Sequence, residues 1–460
     1  MKRRKHSVTS DPLTDLGNAG RFVREHGQNM LFCQAWGKWL VWDGSRWAVD
    51  DTGAVARMAK ETVKEMYREA AGTSDSGEQA RLARHAIKSQ YSSRITAMIY
   101  LAQSELGVPA RPQDLDTDGF LLNCHNGTIN LRTGTLIYPA RREDLITKLA
   151  PVVFDSDAKC PVFDGFLNRI MGGNESLKSY VQRLVGYSLT GTTREQILCV
   201  LFGSGANGKT TFLESIRHVF GDYAGQVPVE TLLKKQGEGI PNDIAQLKGL
   251  RFVTASEVEE GRKLAEAKVK HLTGTGTLQG RYLHQEFFQF EPSHKIFMDC
   301  NHKPVIRGTE HAIWRRIKLV PFTVSIPDEE KDKQLLEKLK AEAPGILAWA
   351  VRGCMDWQRD GLQEPASVKA ATGDYQEEMD LAKQFVKEQC TLDPVGQELV
   401  EDIYRDFVRW CEERGAEPLS KKTFGLALTG IEGLTKGKQG GQRCWKGIRL
   451  SASEPDEKAA

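Results

Sequence analysis

Eight residues, Gly203-Ser-Gly-Ala-Asn-Gly-Lys-Thr210, set glycines, a lysine and a hydroxyl at the spacing G-x-x-x-x-G-K-T. Such a loop grips a nucleoside triphosphate. Its glycines let successive backbone N–H groups converge on phosphate oxygens at a helix N-terminus, where the helix dipole favours negative charge. Lys209 then reaches the β- and γ-phosphates, and Thr210 offers its hydroxyl to Mg²⁺. Gly203, Ser204, Gly205, Ala206, Asn207, Gly208 and Thr211 complete the expected cradle around ATP.

Hydrolysis asks for more than a grip, and candidates follow downstream. Leu250-Arg-Phe-Val-Thr-Ala-Ser-Glu257 is a short apolar run ending in an acid, the arrangement that sets a carboxylate beside Mg²⁺ and the attacking water. Glu257 is the candidate acid, while Glu259 and Glu260 either share its role or are merely solvated. Lys295-Ile-Phe-Met-Asp-Cys-Asn301 is another apolar run, ending in an amide that can reach the γ-phosphate and orient water; a plain Asn-His turn is the alternative for Asn301. Ala312-Ile-Trp-Arg-Arg-Ile317 puts Arg315 and Arg316 just before a further strand. An arginine presented to a neighbouring subunit's γ-phosphate stabilises charge in the transition state, which requires a ring or at least a dimer.

These residues need a scaffold of strands and helices in a fixed order. Ile197 to Phe202 reads as a buried strand and Thr211 to Val219 as a helix, so the loop lies in a strand-loop-helix setting. Lys318-Leu-Val-Pro-Phe322 makes the last strand of this α/β core. Between Phe163 and Leu189 the apolar positions recur at helical spacing, predicting two helices that lead into it, and helical periodicity returns from Asp328 to Trp357. The charged stretch from Gly373 to Asp380 reads as a linker.

Before the core, Trp36-Gly-Lys-Trp-Leu-Val-Trp-Asp-Gly-Ser-Arg-Trp47 reads as a hairpin around an Asp43-Gly44 turn. Its four tryptophans can stack on bases, although filling a small core is their commoner use. After the core, Leu399 to Arg414 and a segment following Ser420 are predicted helices, and Lys436 to Gly447 a hairpin. From Pro418 to Leu450 seven basic residues face one acid, Glu432. Lys421, Lys422, Lys436, Lys438 and Arg443 are thus candidate DNA contacts on a winged-helix-like module, with a solvated basic face as the alternative.

The division expected is an N-terminal α+β region (1–150), a helical collar (151–194), the phosphate-loop core (195–325), a helical segment and linker (326–382), the winged-helix-like domain (383–450) and a disordered tail (451–460). Composition agrees with several globular units: 40% of the 460 residues are apolar and 27% charged. No run approaches bilayer-spanning length, which argues against a membrane protein. Nine cysteines without a C-x-x-C pair argue for reduced thiols in a cytoplasmic setting and against a zinc ribbon, so no metal beyond nucleotide-bound Mg²⁺ is implied. A net charge of +2 leaves any nucleic-acid footprint local. Met1-Lys-Arg-Arg-Lys-His6 is a solvated end or a phosphate-touching arm.

The order of motifs, G-x-x-x-N-G-K-T, a strand ending Ala-Ser-Glu, Lys-x-Leu-Thr-Gly, a strand ending Asn-His-x-Pro and then Trp-Arg-Arg, resembles the superfamily 3 helicases. It is most similar to the helicase half of phage and plasmid primase-helicases, a group that includes the poxvirus primase-helicase, and the likeness runs over roughly residues 20–450. The resemblance implies an AAA+ core assembled as a ring, usually a homo-hexamer, around single-stranded DNA, unwinding forked DNA 3′ to 5′ with ATP. It implies Walker B duty for Glu257, sensor duty for Asn301, and a finger in Arg316 with Arg315 a close second. Lys270 matches the family's lysine, with Arg281 and His284 as strand contacts on a hairpin.

The chain departs from that pattern at Thr273-Gly-Thr-Gly-Thr277, where the family commonly reads Thr-Gly-Gly-Asp. The missing acid bears on bracing of the DNA hairpin and not on hydrolysis. The first 150 residues contain neither cysteine pairs nor an evident cluster of catalytic carboxylates, so the chain is not expected to make primers: a primase or polymerase is encoded separately, or the N-terminal part recruits one. The resulting expectation is a phage- or plasmid-encoded helicase in a bacterial cytoplasm, the alternative being a replication initiator that uses ATP to assemble on DNA.

Overall fold

The computed structural model describes residues 11–234, 242–256, 259–281, 286–308 and 311–451. Glu257, His284, the basic start and residues 452–460 lie outside them.

The N-terminal region is a small sheet under helices. α1 (Asp15–His26) is followed by β1 (Met30–Cys33), β2 (Lys38–Trp42) and β3 (Trp47–Val49), then by α2 (Ala54–Gly72), α3 (Ser76–Ser89), α4 (Ser92–Ala102) and β4 (Pro109–Ala110). The strand order is β3-β2-β1-β4. Phe22, Met30, Phe32, Val63, Met66 and Met98 form the core between the layers. The tryptophans mostly pack: Trp47 is 3% exposed and meets Trp42 edge-on at 5.7 Å, and Trp39 tilts against Phe32 at 5.0 Å.

A three-stranded meander, β5 (Leu121–Cys124), β6 (Gly127–Asn130) and β7 (Thr135–Ile137), leads to α5 (Pro161–Ile170) and α6 (Glu175–Leu189). Pro161 opens α5, where its missing N–H costs nothing, and Asn174 caps α6 by accepting from Leu177 N.

The central unit contains β8 (Leu198–Phe202), α7 (Lys209–Phe220), β9 (Ala224–Gln226), α8 (Asn242–Ala245), β10 (Phe252–Ser256) and α9 (Glu266–Leu272). The antiparallel pair β11 (Leu278–Gly280) and β12 (Phe288–Phe290) comes next, followed by β13 (Lys295–Cys300), α10 (His311–Trp314) and β14 (Ile317–Pro321). Five strands make one parallel sheet in the order β14-β8-β13-β10-β9. Both faces are covered, which is why the strands are nearly continuous apolar runs. Cys199, Leu201, Phe252, Phe297 and Val320 enter one core and Leu198, Val200, Val253, Ile296 and Leu319 the other, the period-two alternation of a strand.

α11 (Leu335–Ala341) and α12 (Ala343–Asp360) return to the first of these cores. α12 crosses α6 so closely that a Cβ on Gly186 would fall 2.1 Å from Cys354 N, so only glycine fits there. The segments 151–194 and 335–368 therefore share a single interior with the parallel sheet.

The stretch read as a linker belongs to α13 (Ala366–Met379). Val368, Thr372 and Tyr375 recur at helical spacing on the face toward β14: Thr372 Oγ1 accepts from Leu319 N at 3.1 Å, and the buried Tyr375 meets Trp314 edge-on at 5.2 Å. Its charged residues take the other positions and mask this apolar stripe in the sequence.

The C-terminal module runs α14 (Leu381–Gln389), β15 (Cys390–Leu399), α15 (Val400–Glu413), α16 (Lys421–Leu428), β16 (Thr435–Gln439) and β17 (Gln442–Leu450), with strand order β15-β17-β16. Stacked Phe407 and Phe424, 4.1 Å apart, sit with Phe385 and Trp410 in its core, and each such ring pair adds about 1 kcal/mol beyond area burial. Glu417 ties the module to the central unit through Lys263 and through Arg307 at 2.8 Å.

Candidate functional site

The phosphate loop leaves the C-terminal end of β8 and enters α7 at Lys209. Its backbone takes left-handed conformations at Gly205 (φ +98°), Ala206 (φ +49°) and Gly208 (φ +81°), the last of which is the helix N-cap. Loop closure is anchored from outside: Ile326 N donates to Ala206 O at 2.8 Å, and Asn207 Nδ2 to Phe322 O at 3.4 Å. Ser204 and Thr210 face solvent, and Thr211 is half-buried.

Lys209 is 3% exposed, and its Nζ donates to Gly203 O at 2.7 Å and to Asn301 Oδ1 at 3.0 Å. Asp299 Oδ1 lies 3.6 Å from the same nitrogen, and Thr210 Oγ1 donates to Asp299 Oδ2 at 3.2 Å. A cleft of about 640 Å³ opens here, lined by residues 205–211, Glu259 and residues 299–302. A lysine, a hydroxyl, a carboxylate and an amide thus meet at the mouth of a helix N-terminus. Such a set suits phosphate oxygens and a hard divalent cation. Sequence reasoning overlooked Asp299, although an acid two residues before Asn301 was on view; what it lacked was the neighbour relation of β8 and β13.

Arg315 and Arg316 lie at the other edge. β14 pairs with β8 from Ile317↔Leu198 to Pro321↔Phe202, so both arginines precede the strand while the phosphate loop follows its partner. They are separated from their own loop by the strand's length, roughly 16 Å. Arg315 is exposed and donates to Gln196 Oε1 at 2.8 Å. Arg316 is 9% exposed, giving hydrogen bonds to Ala312 O at 2.8 Å and Gln196 Oε1 at 3.1 Å. Of the two, Arg315 is therefore the more exposed in the single chain.

α9 is held at both ends. At its start Glu266 Oε1 accepts from Arg307 N and Gly308 N at 3.0 and 2.9 Å, and just past its end Gly274 O accepts from Thr193 Oγ1 at 3.2 Å. Lys270 is half-buried on this helix. Arg281 directly follows β11, its guanidinium 5.1 Å from the Phe287 ring centre. The β11–β12 pair is braced without the acid absent at Thr277. Lys248 Nζ lies 5.2 Å from the Phe288 ring and 5.6 Å from that of Trp36, and a Cβ on Gly280 would come 2.8 Å from Ala245 Cα. Lys248 thus lies between the exposed Trp36 of the N-terminal hairpin and Phe288 at the loop end of this strand pair.

In the C-terminal module Lys438 stands opposite Arg443 in the β16–β17 ladder, and Lys436 shares their face, its Nζ 5.7 Å from the Trp445 ring. All three are exposed, as is Lys422. Lys421 is engaged elsewhere, paired with Glu401 and 5.9 Å from the Tyr404 ring.

Two buried cations, Arg251 and Lys295, form no ion pair among the described residues and precede or open the strands β10 and β13. Arg251 donates to Leu189 O at 2.7 Å and Leu121 O at 2.8 Å; Lys295 Nζ donates to Thr190 O, to Ser293 O at 3.0 Å and to Thr192 O at 3.3 Å. One carbonyl of each set, Leu189 O for Arg251 and Thr190 O for Lys295, lies at the C-terminal end of α6, where the helix dipole is negative. Burial pushes the pKa of both downward, and it pushes His294, also crowded by the Lys295 charge, down to about 4.

The sheet and the loop define a phosphate-loop α/β protein. Residues 19–172 match the D5 N terminal like family, and residues 201–316 match a family of unknown function, DUF5906. The chain is 26% identical over 322 residues to "Putative helicase L207/L206" of Acanthamoeba polyphaga mimivirus, covering 65% of this chain and 33% of that protein. It is 25% identical over 305 residues to "Putative helicase 022R" of Frog virus 3, covering 62% and 31%. To "Putative primase C962R" of African swine fever virus it is 23% identical over 217 residues, covering 45% and 22%. The matched region is thus about a third of the length of the first two relatives. Among solved structures, the apo structure of the NrS-1 C terminal region covers 93% of this chain and 98% of that chain at a TM-score of 0.48 and 9% identity. The chain is thus similar, at distant identity, to viral proteins described as putative helicases and a putative primase, and over residues 19–172 to the D5 N terminal like family. Among the described residues, no helix is long and apolar enough to cross a membrane.

Proposed function

We propose that this chain is an ATP-dependent DNA helicase of superfamily 3, working as a ring on single-stranded DNA in the replication of a phage or plasmid. The observation that carries the reading is the meeting of Lys209 and Thr210 with the polar end of β13 in an open cleft. A site that only held nucleotide would not need Asn301 against the lysine that grips the γ-phosphate. The sheet order, with β13 between the phosphate-loop strand and β10, favours an AAA+ core. The helix-strand-helix-helix-strand-strand order of the last module favours a winged helix.

ATP and Mg²⁺ fit the donor set of this cleft. Bound there, the cation supplies neutralisation of charge on the β- and γ-phosphates. The loop's backbone N–H groups and Lys209 hold the phosphates, and Asn301 orients the attacking water. Glu257 takes the proton of that water as its oxygen bonds to the γ-phosphorus, the bond to the bridging oxygen breaks and ADP leaves. A neighbouring subunit's Arg315 or Arg316 stabilises the charge that develops. Lys270, Arg281, His284 and the basic face of β16–β17 contact DNA, and a separate primase or polymerase supplies primers.

Forked DNA with either tail polarity, incubated with the protein and ATP, tests the reading alongside ATPase assays with and without single-stranded DNA. DNA-stimulated turnover and strand separation are expected. ATP-dependent assembly on DNA without turnover would assign the chain to replication initiation instead.

A further inference from the structure

We infer that Asp299, and not Glu257 after β10, is the carboxylate ligand of the nucleotide-bound cation. The inference deepens the hydrolysis reading above and rests on it. A phosphoryl-transfer site divides two tasks between acids: one carboxylate joins the phosphate-loop hydroxyl at the metal, and another group handles the attacking water. At the end of β10 the chain has Ser256 followed by Glu257, so the first position of that pair is a serine. The ladder places Ser256 directly beside Asp299 on β13, and Asp299 beside Leu201 on β8. In a parallel ladder, register partners project their side chains to the same face of the sheet. The carboxylate missing at position 256 is thereby supplied from the neighbouring strand, one strand nearer the phosphate loop.

The contacts fit that role. Asp299 Oδ2 accepts from the Thr210 hydroxyl at 3.2 Å, and both residues line the cleft. Thr210 and Asp299 would together hold a hard cation through their oxygens, and the cation would neutralise charge on the bound phosphates. Among the described residues no three His, Cys, Asp or Glu side chains gather into a self-sufficient metal cluster. A cation here therefore leans on nucleotide phosphates, and its binding and that of nucleotide are coupled. With Asp299 at the metal, Glu257 is left for the water.

The test is a titration of a fluorescent, non-hydrolysable ATP analogue into full-length wild type, Asp299→Asn, Asp299→Glu and Glu257→Gln, each with Mg²⁺ and with EDTA. In the wild type Mg²⁺ is expected to tighten binding roughly tenfold or more. Asp299→Asn should bind the analogue in EDTA as well as the wild type or better, having lost a negative charge beside the phosphates, and this binding certifies its fold. Its gain from Mg²⁺ should fall within about twofold of unity. Asp299→Glu should recover part of the gain, and Glu257→Gln should keep it. Asp299→Asn retaining the full gain overturns the inference while leaving the nucleotide reading intact. A wild type that binds no analogue in either condition overturns the nucleotide reading itself.

Discussion

Lys209 at the start of α7 donates to Asn301 at the end of β13 over 3.0 Å, joining residues 92 positions apart in the chain. Each is expected at one face of the same phosphate, so their removal should have different kinetic signatures. Lys209→Ala is expected to abolish ATP turnover through lost phosphate grip. Asn301→Ala should lower kcat by about 10²-fold, with analogue affinity changed only a few-fold, because orienting water matters in the transition state and not in the ground state. Equal losses of affinity in the two variants would contradict this division.

The arginine pair calls for a mixing experiment. Arg315 is exposed at the sheet edge away from its own loop, whereas Arg316 is buried against Ala312 and Gln196. Arg315→Ala subunits mixed with Glu257→Gln subunits are expected to regain part of the ATPase that each lacks alone, since some interfaces then pair an intact acid with an intact arginine. Arg316→Ala is expected to lower the melting temperature as well as activity. Restoration by Arg316→Ala mixtures but not by Arg315→Ala mixtures would return the finger to Arg316.

His294 makes stability depend on pH. Its folded-state pKa is held down at about 4, against an ordinary 6.5, by burial and by the neighbouring Lys295 charge. The unfolded chain therefore binds the proton first on acidification, and stability present above pH 6.5 is lost progressively down to about pH 4. Between pH 7 and pH 5 this residue should cost about 2 kcal/mol, read from denaturant unfolding of the central unit. His294→Gln should flatten the profile over that window, and an unchanged profile would show that the ring is not the titrating group.

The basic face of β16 and β17 carries Lys436, Lys438 and Arg443 together. Replacing all three by alanine should reduce the slope of log affinity for single-stranded DNA against log salt by about 2, from roughly 0.7 per phosphate contact. Lys421→Ala should change the slope little, because that amine is paired with Glu401. A triple variant with an unaltered slope would move the DNA contacts to α9 and the β11–β12 pair.

Local chemistry was the legible part. A phosphate loop announces itself within eight residues, and the strands before and after it were readable because runs buried on both faces are continuously apolar. α13 escaped because charges at its outward positions outweighed Val368, Thr372 and Tyr375, whose common face appears only against β14. Arg251 and Lys295 escaped because each reaches a backbone carbonyl at the end of α6 more than 60 residues away, which side-chain patterning does not encode.

The amino-acid sequence alone determined that a phosphate-binding turn, an apolar strand ending in amide and an arginine pair follow one another, since glycine freedom, strand periodicity and charge are local properties. Only the tertiary structure decided that β13 inserts between β8 and β10, and with that insertion which acid faces Thr210. It likewise decided that Arg315 meets solvent while Arg316 is covered, and that Lys248 lies between Trp36 and Phe288 of β12. Strand order is set by the packing of two apolar faces across the whole sheet, a sum of distant contacts that no local stretch of sequence contains.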